Sequence, residues 1–380
     1  MSKANIRPKE NCNNICLITE STENISVLSL AQALSKLNCK VDVIAFNNSK
    51  NELQVNSYNF DIHVIKNKKI ELSIKKIERA MKYVQSLQNA KSLQNKMIEI
   101  GVDFDLIVSN MYLANITCRK LNMPNTYYCI HSVISSVIGN YYNNKTELFR
   151  FIQKSLYLFF VKKLYSNQKI ITVSKGISKD LVKLGICPKT IQTIYNPLDF
   201  DNIKKQSNKY LIEEKDYIIH VGRFSKEKRH DILINAYKQS GIEQKLLLLG
   251  DSNNKIGKGV KQLVIKLGLT NKVIFKGFKS NPFPYIKNAK TLILSSDHEG
   301  FGMVLLEALA LRIPVVSTNC IGPSEILCDE LKPFLSPIGD ANALAKNIKK
   351  MIGNPIKITA KHTDKFSAEK SAKQYLNLCS

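Results

Sequence analysis

Apolar residues in this chain come in short unbroken runs, separated by stretches of helical periodicity. Ile15-Cys16-Leu17-Ile18, Val41 to Phe46, Leu106 to Ser109, Thr126 to Ile130, Lys169 to Val173 and Ile191 to Ile194 are the runs of the first half. Tyr217 to Val221, Lys245 to Leu249, Val273 to Phe275, Thr291 to Leu294 and Val315 to Ser317 continue them. Short apolar runs without alternation are how parallel strands buried on both faces read. Between them the spacing predicts helices: Ser26 to Leu37, a long one from about Leu72 to Ile100 on Ile74, Ile77, Met81 and Val84, Met303 to Arg312, Ala341 to Met351, and Phe366 to Leu378. Strand, helix, strand from end to end predicts doubly wound α/β sheets.

At 380 residues the chain exceeds what one core usually fills, so two domains are expected. Asn196-Pro197, Asp199 and the polar 201–215 stretch read as the linker. The expected division is 1–195, 196–363 and a final helical segment, 364–380.

Composition narrows the class. Hydrophobic residues make 44% and charged ones 23%, as in ordinary globular proteins. No apolar run is long enough to cross a bilayer. The opening MSKANIRPKENCNN is polar and does not read as a secretory signal. Nine cysteines without a CxxC pair speak against zinc and for reduced thiols in the cytosol. The six histidines show no pair at ligand spacing.

The net charge of +25 is the compositional anomaly. It is spread along the chain, with 27 basic against 13 acidic residues up to residue 195 and 29 against 18 beyond. No nucleic-acid-binding module appears, so no nucleic-acid partner is expected. An anionic membrane surface and a phosphorylated substrate both fit the charge. Phe149 to Tyr165 mixes aromatics with lysines at helical spacing. The favoured reading is a helix packed in the core before the Lys169 strand; the alternative dips into a membrane interface.

The chemistry concentrates in Ser295 to Leu327. A buried strand leads to a polar loop ending at Glu299, then Gly300 and Gly302 flank Phe301, and Met303 opens a helix that Pro314 stops. This arrangement presents N–H groups at a helix start to an anion. Glu299 stands just before that start and Glu307 about two helical turns further along the chain, among Leu305, Leu306, Ala308 and Leu309. A second cluster opens the second half: Gly222-Arg223 follows a strand and Lys228 comes five residues later. A guanidinium can grip one phosphate bidentately while an ammonium serves the next. His131 directly follows the strand ending at Ile130, where ligands of open α/β sheets collect.

Glu299-Gly300-Phe301-Gly302 through Glu307, with Arg223 and Lys228, resembles the family four (group 1) retaining glycosyltransferases. The resemblance covers nearly the whole chain. It implies the GT-B arrangement, two Rossmann-like domains facing across a cleft, with the acceptor held by the first and a nucleotide-sugar donor, UDP-linked, by the second. It implies Arg223 and Lys228 on the donor diphosphate, Glu299 on sugar hydroxyls, Glu307 on the ribose and His131 against the donor sugar. Gly300, Phe301, Gly302 and Met303 line the donor turn, and Gly277-Phe278 holds the base through backbone groups. The final helix would cross back to the first domain. The acceptor that the resemblance implies is a glycan or lipid-linked glycan of cell-surface polysaccharide or lipopolysaccharide synthesis.

Two departures stand out. The first turn has Ser21-Thr22-Glu23-Asn24 where relatives have a glycine pair, so Ser21, Thr22 and Asn24 are the acceptor-side candidates. Arg229 stands where many relatives have glycine. Asp103-Phe104-Asp105 and Asp199-Phe200-Asp201 look like the metal-binding Asp-x-Asp of the other glycosyltransferase architecture, and both read as structural. Neither a metal nor any other cofactor is expected. A catalytically silent subunit on this fold, and a nucleotide-sugar epimerase, are the alternatives.

Overall fold

The computed structural model describes residues 12–47, 58–65, 78–141 and 147–379. The chain divides into two compact units, Met1–Leu198 with Phe366–Ser380, and Asp199–Lys365. In the first, β1 (Asn14–Thr19), α1 (Ile25–Lys36), β2 (Lys40–Ala45), β3 (Asp61–Val64) and α2 (Glu78–Ile100) come in order. They are followed by β4 (Leu106–Asn110), α3 (Tyr112–Leu121), β5 (Thr126–Ile130), α4 (Ile134–Tyr141), α5 (Glu147–Tyr165), β6 (Lys169–Thr172), α6 (Lys175–Lys183) and β7 (Thr190–Thr193). Among the described residues these strands form a parallel sheet ordered β3-β2-β1-β4-β5-β6-β7.

The second unit runs α7 (Phe200–Gln206), β8 (Tyr217–Val221), α8 (His230–Ser240), β9 (Lys245–Leu249), α9 (Lys255–Lys266), β10 (Val273–Gly277) and α10 (Phe283–Lys287). Then come β11 (Leu292–Leu294), α11 (Met303–Ala310), β12 (Val315–Thr318), α12 (Ile321–Ile326), β13 (Leu335–Ser336) and α13 (Ala341–Gly353). Its sheet is parallel too, ordered β10-β9-β8-β11-β12-β13. The apolar runs become strands because helices cover both faces: Ile15 to Ile18 and Leu246 to Leu248 are fully buried.

Several elements escaped the sequence pattern. β3 is half-exposed and has no apolar run. α7 occupies the expected linker; Asp199 caps it, its Oδ1 accepting from Asn202 N at 3.0 Å. Asp105 has an equally local task, its Oδ2 accepting from Asn13 N and Asn14 N at 2.9 Å each. Both Asp-x-Asp patterns thus spend a carboxylate on backbone. Residues 72–77 of the expected long helix, with Ile74 and Ile77, lie outside the described residues, and the helix is described from Glu78.

The chain carries few glycines, and asparagine takes several of their positions. Asn122 ends α3 in the left-handed region at φ 46°, and Asn38, Asn125 and Asn167 also have positive φ. The cysteine expectation needs one correction. Cys12 and Cys379 are joined in a disulfide that ties the segment before β1 to the chain's last residues. Scattered spacing concealed the pair because its members are 367 residues apart.

The returning segment belongs to the first unit. α14 (Ala368–Leu376) packs on α1, and Phe366, fully buried, meets Tyr195 edge to face at 5.2 Å. Tyr127 donates its hydroxyl to Leu378 O at 3.2 Å, and Ser371 Oγ donates to Tyr195 O at 3.0 Å.

Candidate active site

Each sheet reverses its order beside its first strand, between β8 and β11 in the second unit and between β1 and β4 in the first. Such a reversal opens a crevice at the carboxyl ends of the strands, because the crossovers on its two sides leave in opposite directions. The residues singled out from the sequence lie largely at these ends.

In the second unit the β8 end is carved by glycine. A Cβ on Gly250, after β9, would sit 2.1 Å from Gly222 O, so the two loops approach without side chains between them. Phe224 and His230 then turn inward and stack at 4.1 Å, with His220 edge-on to His230 at 4.7 Å. His220 donates Nδ1–H to Ile293 O at 2.8 Å, which fixes its tautomer. Burial pushes both imidazoles down, His230 to about 4, so the layer beneath the clamp is neutral.

Above that layer lie the charged groups. Lys228 Nζ donates to Glu299 Oε1 at 2.6 Å, and both side chains are largely buried. Ser296 Oγ donates to the same oxygen at 2.6 Å, so Oε2 has no hydrogen-bond partner among the described residues. Arg223 projects outward with 87% of its side chain exposed, 3.8 Å from Glu227. The pair therefore comprises one largely buried cation and one exposed cation beside a carboxylate. Backbone ties hold the loops in register: Asp297 N donates to Glu227 O and Ser295 Oγ to Lys228 O, each at 2.8 Å.

Arg229 explains its own departure from glycine. Its φ is +48°, a left-handed conformation that glycine adopts without cost. The guanidinium compensates with a fork, Nη1 donating to Asp297 at 3.0 Å and Nε and Nη2 to Asp231 at 3.0 and 2.9 Å. It rivets the loop after β8 to the loop after β11, beside Lys228 and Glu299. Sequence reading gave Arg229 no role, because its carboxylate partners become neighbours only through the sheet.

The glycine turn is tight for a visible reason. Gly302 has φ +95°, and a Cβ on Gly322 at the start of α12 would lie 2.2 Å from Phe301 O. Phe301 itself is 3% exposed, so its side chain is packing and only its backbone borders the crevice. α11 runs Met303–Ala310, shorter than the expected Met303 to Arg312, because Arg312 adopts φ +64°. Glu307 is 8% exposed and its carboxyl has no hydrogen-bond partner among the described residues. Burial lifts its pKa to about 7. Keeping it ionised costs roughly 3 kcal/mol, whereas burying Leu305, Leu306 and Leu309 contributes roughly 5 to 9 kcal/mol. The leucines seat the helix, and the helix carries the carboxylate. Gly277 ends β10 at φ +70°, with Phe278 73% exposed beyond it.

In the first unit's crevice the Glu20 carboxylate, just after β1, accepts from Leu113 N at the start of α3 at 2.6 Å, and hydroxyl, amide and imidazole groups stand beside it. Asn24 caps α1, accepting from Val27 N at 3.3 Å, and Ser21 Oγ accepts from Glu23 N at 3.1 Å. Thr22 is buried. The polar atoms of Ser21 and Asn24 thus hold the turn that glycines shape elsewhere. His131 follows β5 and pairs with Asn110, the last residue of β4, at 3.2 Å. Asn110 donates both amide hydrogens, to Val108 O at 3.2 Å and Ile18 O at 3.4 Å, so only its Oδ1 can face the imidazole. His131 must therefore carry its proton on Nε2. Burial lowers its pKa to about 4, which makes Nδ1 a neutral acceptor. Asn110 carried no sequence signal beyond its place at a strand end.

Among the described residues no three His, Cys, Asp or Glu side chains gather as a metal site. Two parallel α/β units, each with its crevice at the strand reversal, define the GT-B class of fold. Residues 24–202 match Glycosyltransferase Family 4 and residues 201–370 match Glycosyl transferases group 1. The chain belongs to this glycosyltransferase family.

Among its relatives is the N-acetylgalactosamine-N,N'-diacetylbacillosaminyl-diphospho-undecaprenol 4-alpha-N-acetylgalactosaminyltransferase of Campylobacter jejuni. The two are 29% identical over 230 residues, 57% of this chain and 62% of that protein. The lipopolysaccharide 1,6-galactosyltransferase of Escherichia coli is 29% identical over 197 residues, 50% of this chain and 53% of that one. The matches therefore span between 53% and 62% of these two relatives' lengths. In fold the chain resembles sucrose-phosphate synthase of Thermosynechococcus elongatus, at TM-score 0.73 and 20% identity over 95% of this chain and 97% of that one. The Anabaena protein HepE in complex with UDP-glucose gives 0.70 and 18%, over 95% and 98%.

Proposed function

We propose that this protein transfers a sugar from a UDP-sugar, with retention at the anomeric carbon and without a metal, to a glycan or lipid-linked acceptor of bacterial surface-polysaccharide or lipopolysaccharide synthesis. The observation that carries the reading is the β8/β11 crevice, where the buried Lys228–Glu299 pair and the exposed Arg223 stand on the loops leaving the two strands, with the buried Glu307 in the helix that follows. Lys228 and Arg223 balance the charge that grows on the leaving diphosphate, helped by the N–H groups that open α11. Glu307 accepts from the ribose diol, for which a carboxylate has two matched oxygens. Glu299 holds Lys228 through Oε1 and reads a sugar hydroxyl through Oε2. His131 accepts from a sugar hydroxyl at Nδ1, and Gly277-Phe278 takes the base.

The names of the relatives support the donor and acceptor classes, since one acts on a diphospho-undecaprenol substrate and HepE binds UDP-glucose. A lipid-linked acceptor puts the work at the inner face of the cytoplasmic membrane. No helix among the described residues is long and apolar enough to cross one.

The test is turnover of a panel of nucleotide sugars by the purified chain with a lipid extract, products read by mass spectrometry. A glycosylated lipid with the donor's anomeric configuration supports the reading. Donor binding without any turnover would instead favour a silent subunit, and a rearranged free nucleotide sugar an epimerase.

A further inference from the structure

Helix α5 is core-packed on one face only. Tyr157, Val161, Leu164 and Tyr165 are at most 7% exposed. The opposite face carries Leu148, Phe151, Ile152, Leu156 and Phe159 at 72, 68, 45, 63 and 67% exposure. These positions recur at three and four residues, so they form one stripe, about 16 Å long at the helical rise. The other large exposed apolar side chains are scattered over the described residues. Scattered exposure needs no explanation, but a contiguous stripe does.

Charge says what covers it. Lys162 and the exposed Lys163 extend the stripe by one turn, and Gly185, after α6, lies against Lys162 Nζ. α5 bears Arg150, Lys154, Lys162 and Lys163 against a single acid, Glu147, which pairs with Arg150 at 3.4 Å. Helical spacing puts Lys154 nearer the packed side. A second copy of the chain carries the same net charge of +25 and is repelled where an anionic surface is attracted. An anionic surface meets both requirements at once.

We propose that this face of α5 docks on an anionic lipid bilayer. The helix lies in the interface plane, with Leu148, Phe151, Leu156 and Phe159 entering the headgroup boundary and Lys162 and Lys163 meeting lipid phosphates. The proposal deepens the membrane assignment above by naming its surface. It is read without donor or acceptor, so it stands or falls apart from the sugar chemistry.

The test is co-sedimentation of the full chain with vesicles of phosphatidylcholine, with and without phosphatidylglycerol, at low and high salt. Binding is expected on anionic vesicles at low salt and is lost on neutral ones and at high salt. Phe151→Ser with Phe159→Ser, both exposed and harmless to the core, should weaken binding at least tenfold, on the order expected for lost interfacial burial. Lys162→Gln with Lys163→Gln should weaken it roughly 30-fold, and Lys154→Gln less than about twofold. Absence of binding to anionic vesicles at low salt overturns the proposal. So does binding that survives the double Phe substitution, or a self-associating chain that the same substitution makes monomeric while vesicles bind neither form.

Discussion

The loops leaving β1 and β4 in the first unit stand to each other as those leaving β8 and β11 do in the second. What fills the two crevices differs. The second unit brings Lys228, Glu299, Arg229 and Asp297 together, and excludes side chains by glycine at Gly222 and Gly250. The first has amides, hydroxyls, a neutral imidazole and the Glu20 carboxylate bonded to Leu113 N, its turn shaped by Ser21 and Asn24 instead of glycine. Paired cations and close backbone mark one crevice, the features that the proposed binding of a diphosphate needs. The other holds no such cation pair among the groups named, and its hydroxyl, amide and imidazole atoms are the kind that the proposed acceptor hydroxyls would meet. Topology decides where a ligand can sit, and the loop residues decide what kind.

The comparison can be broken most directly at the charged crevice. Arg223→Ala or Lys228→Ala should lower kcat by about 10² to 10³-fold, the usual loss for a preorganised charge stabiliser. Wild-type turnover in Arg223→Ala would remove the clamp from the second unit. Next in size is the rivet. Arg229→Gly keeps the left-handed backbone and loses the fork to Asp297, so folding should persist while kcat drops about tenfold to a hundredfold. Arg229→Lys should not restore it, because an ammonium cannot span both carboxylates.

Glu307 offers a test by pH. Its pKa is raised on folding, from 4.5 to about 7, so its contribution to stability is full below pH 4.5 and lost as pH rises through 7. Glu307→Gln should therefore be the more stable protein above pH 7, by roughly 3 kcal/mol, with no such gain at acid pH. Urea titrations at the two pH values measure it. In the wild type, donor affinity should fall on acidification below pH 7, as the carboxylate proposed to accept ribose hydroxyls is protonated.

The first unit's crevice sharpens the contrast from the other side. Asn110→Asp puts a carboxylate against Nε2–H, and the His131 midpoint should climb from about 4 toward its ordinary 6.5. Imidazole NMR reads the shift, and an unmoved midpoint would dissolve the Asn110–His131 pair. The smallest expected effect is none at all: under the proposed role of Lys228 and Arg223 on the leaving diphosphate, turnover should be unchanged in excess EDTA.

Much was legible in order along the chain. Buried parallel strands announce themselves because both faces are apolar, and Glu299 to Glu307 is contiguous, so its glycines and carboxylates could be read as one turn and one helix. β3, α3 and α7 were missed because their patterns are weak, and Asp199, read as structural, has a local task as the cap of α7.

What the sequence determined by itself is local: which runs become strands, where helices begin and stop, and which residue types stand at the strand ends. Only the tertiary structure decided the pairings, because they join positions 71, 68, 21 and 367 residues apart: Lys228 with Glu299, Arg229 with Asp297, His131 with Asn110, and Cys12 with Cys379. It also decided which face of α5 is covered. Periodicity shows that a helix has apolar positions, but only packing shows how many of them found a partner.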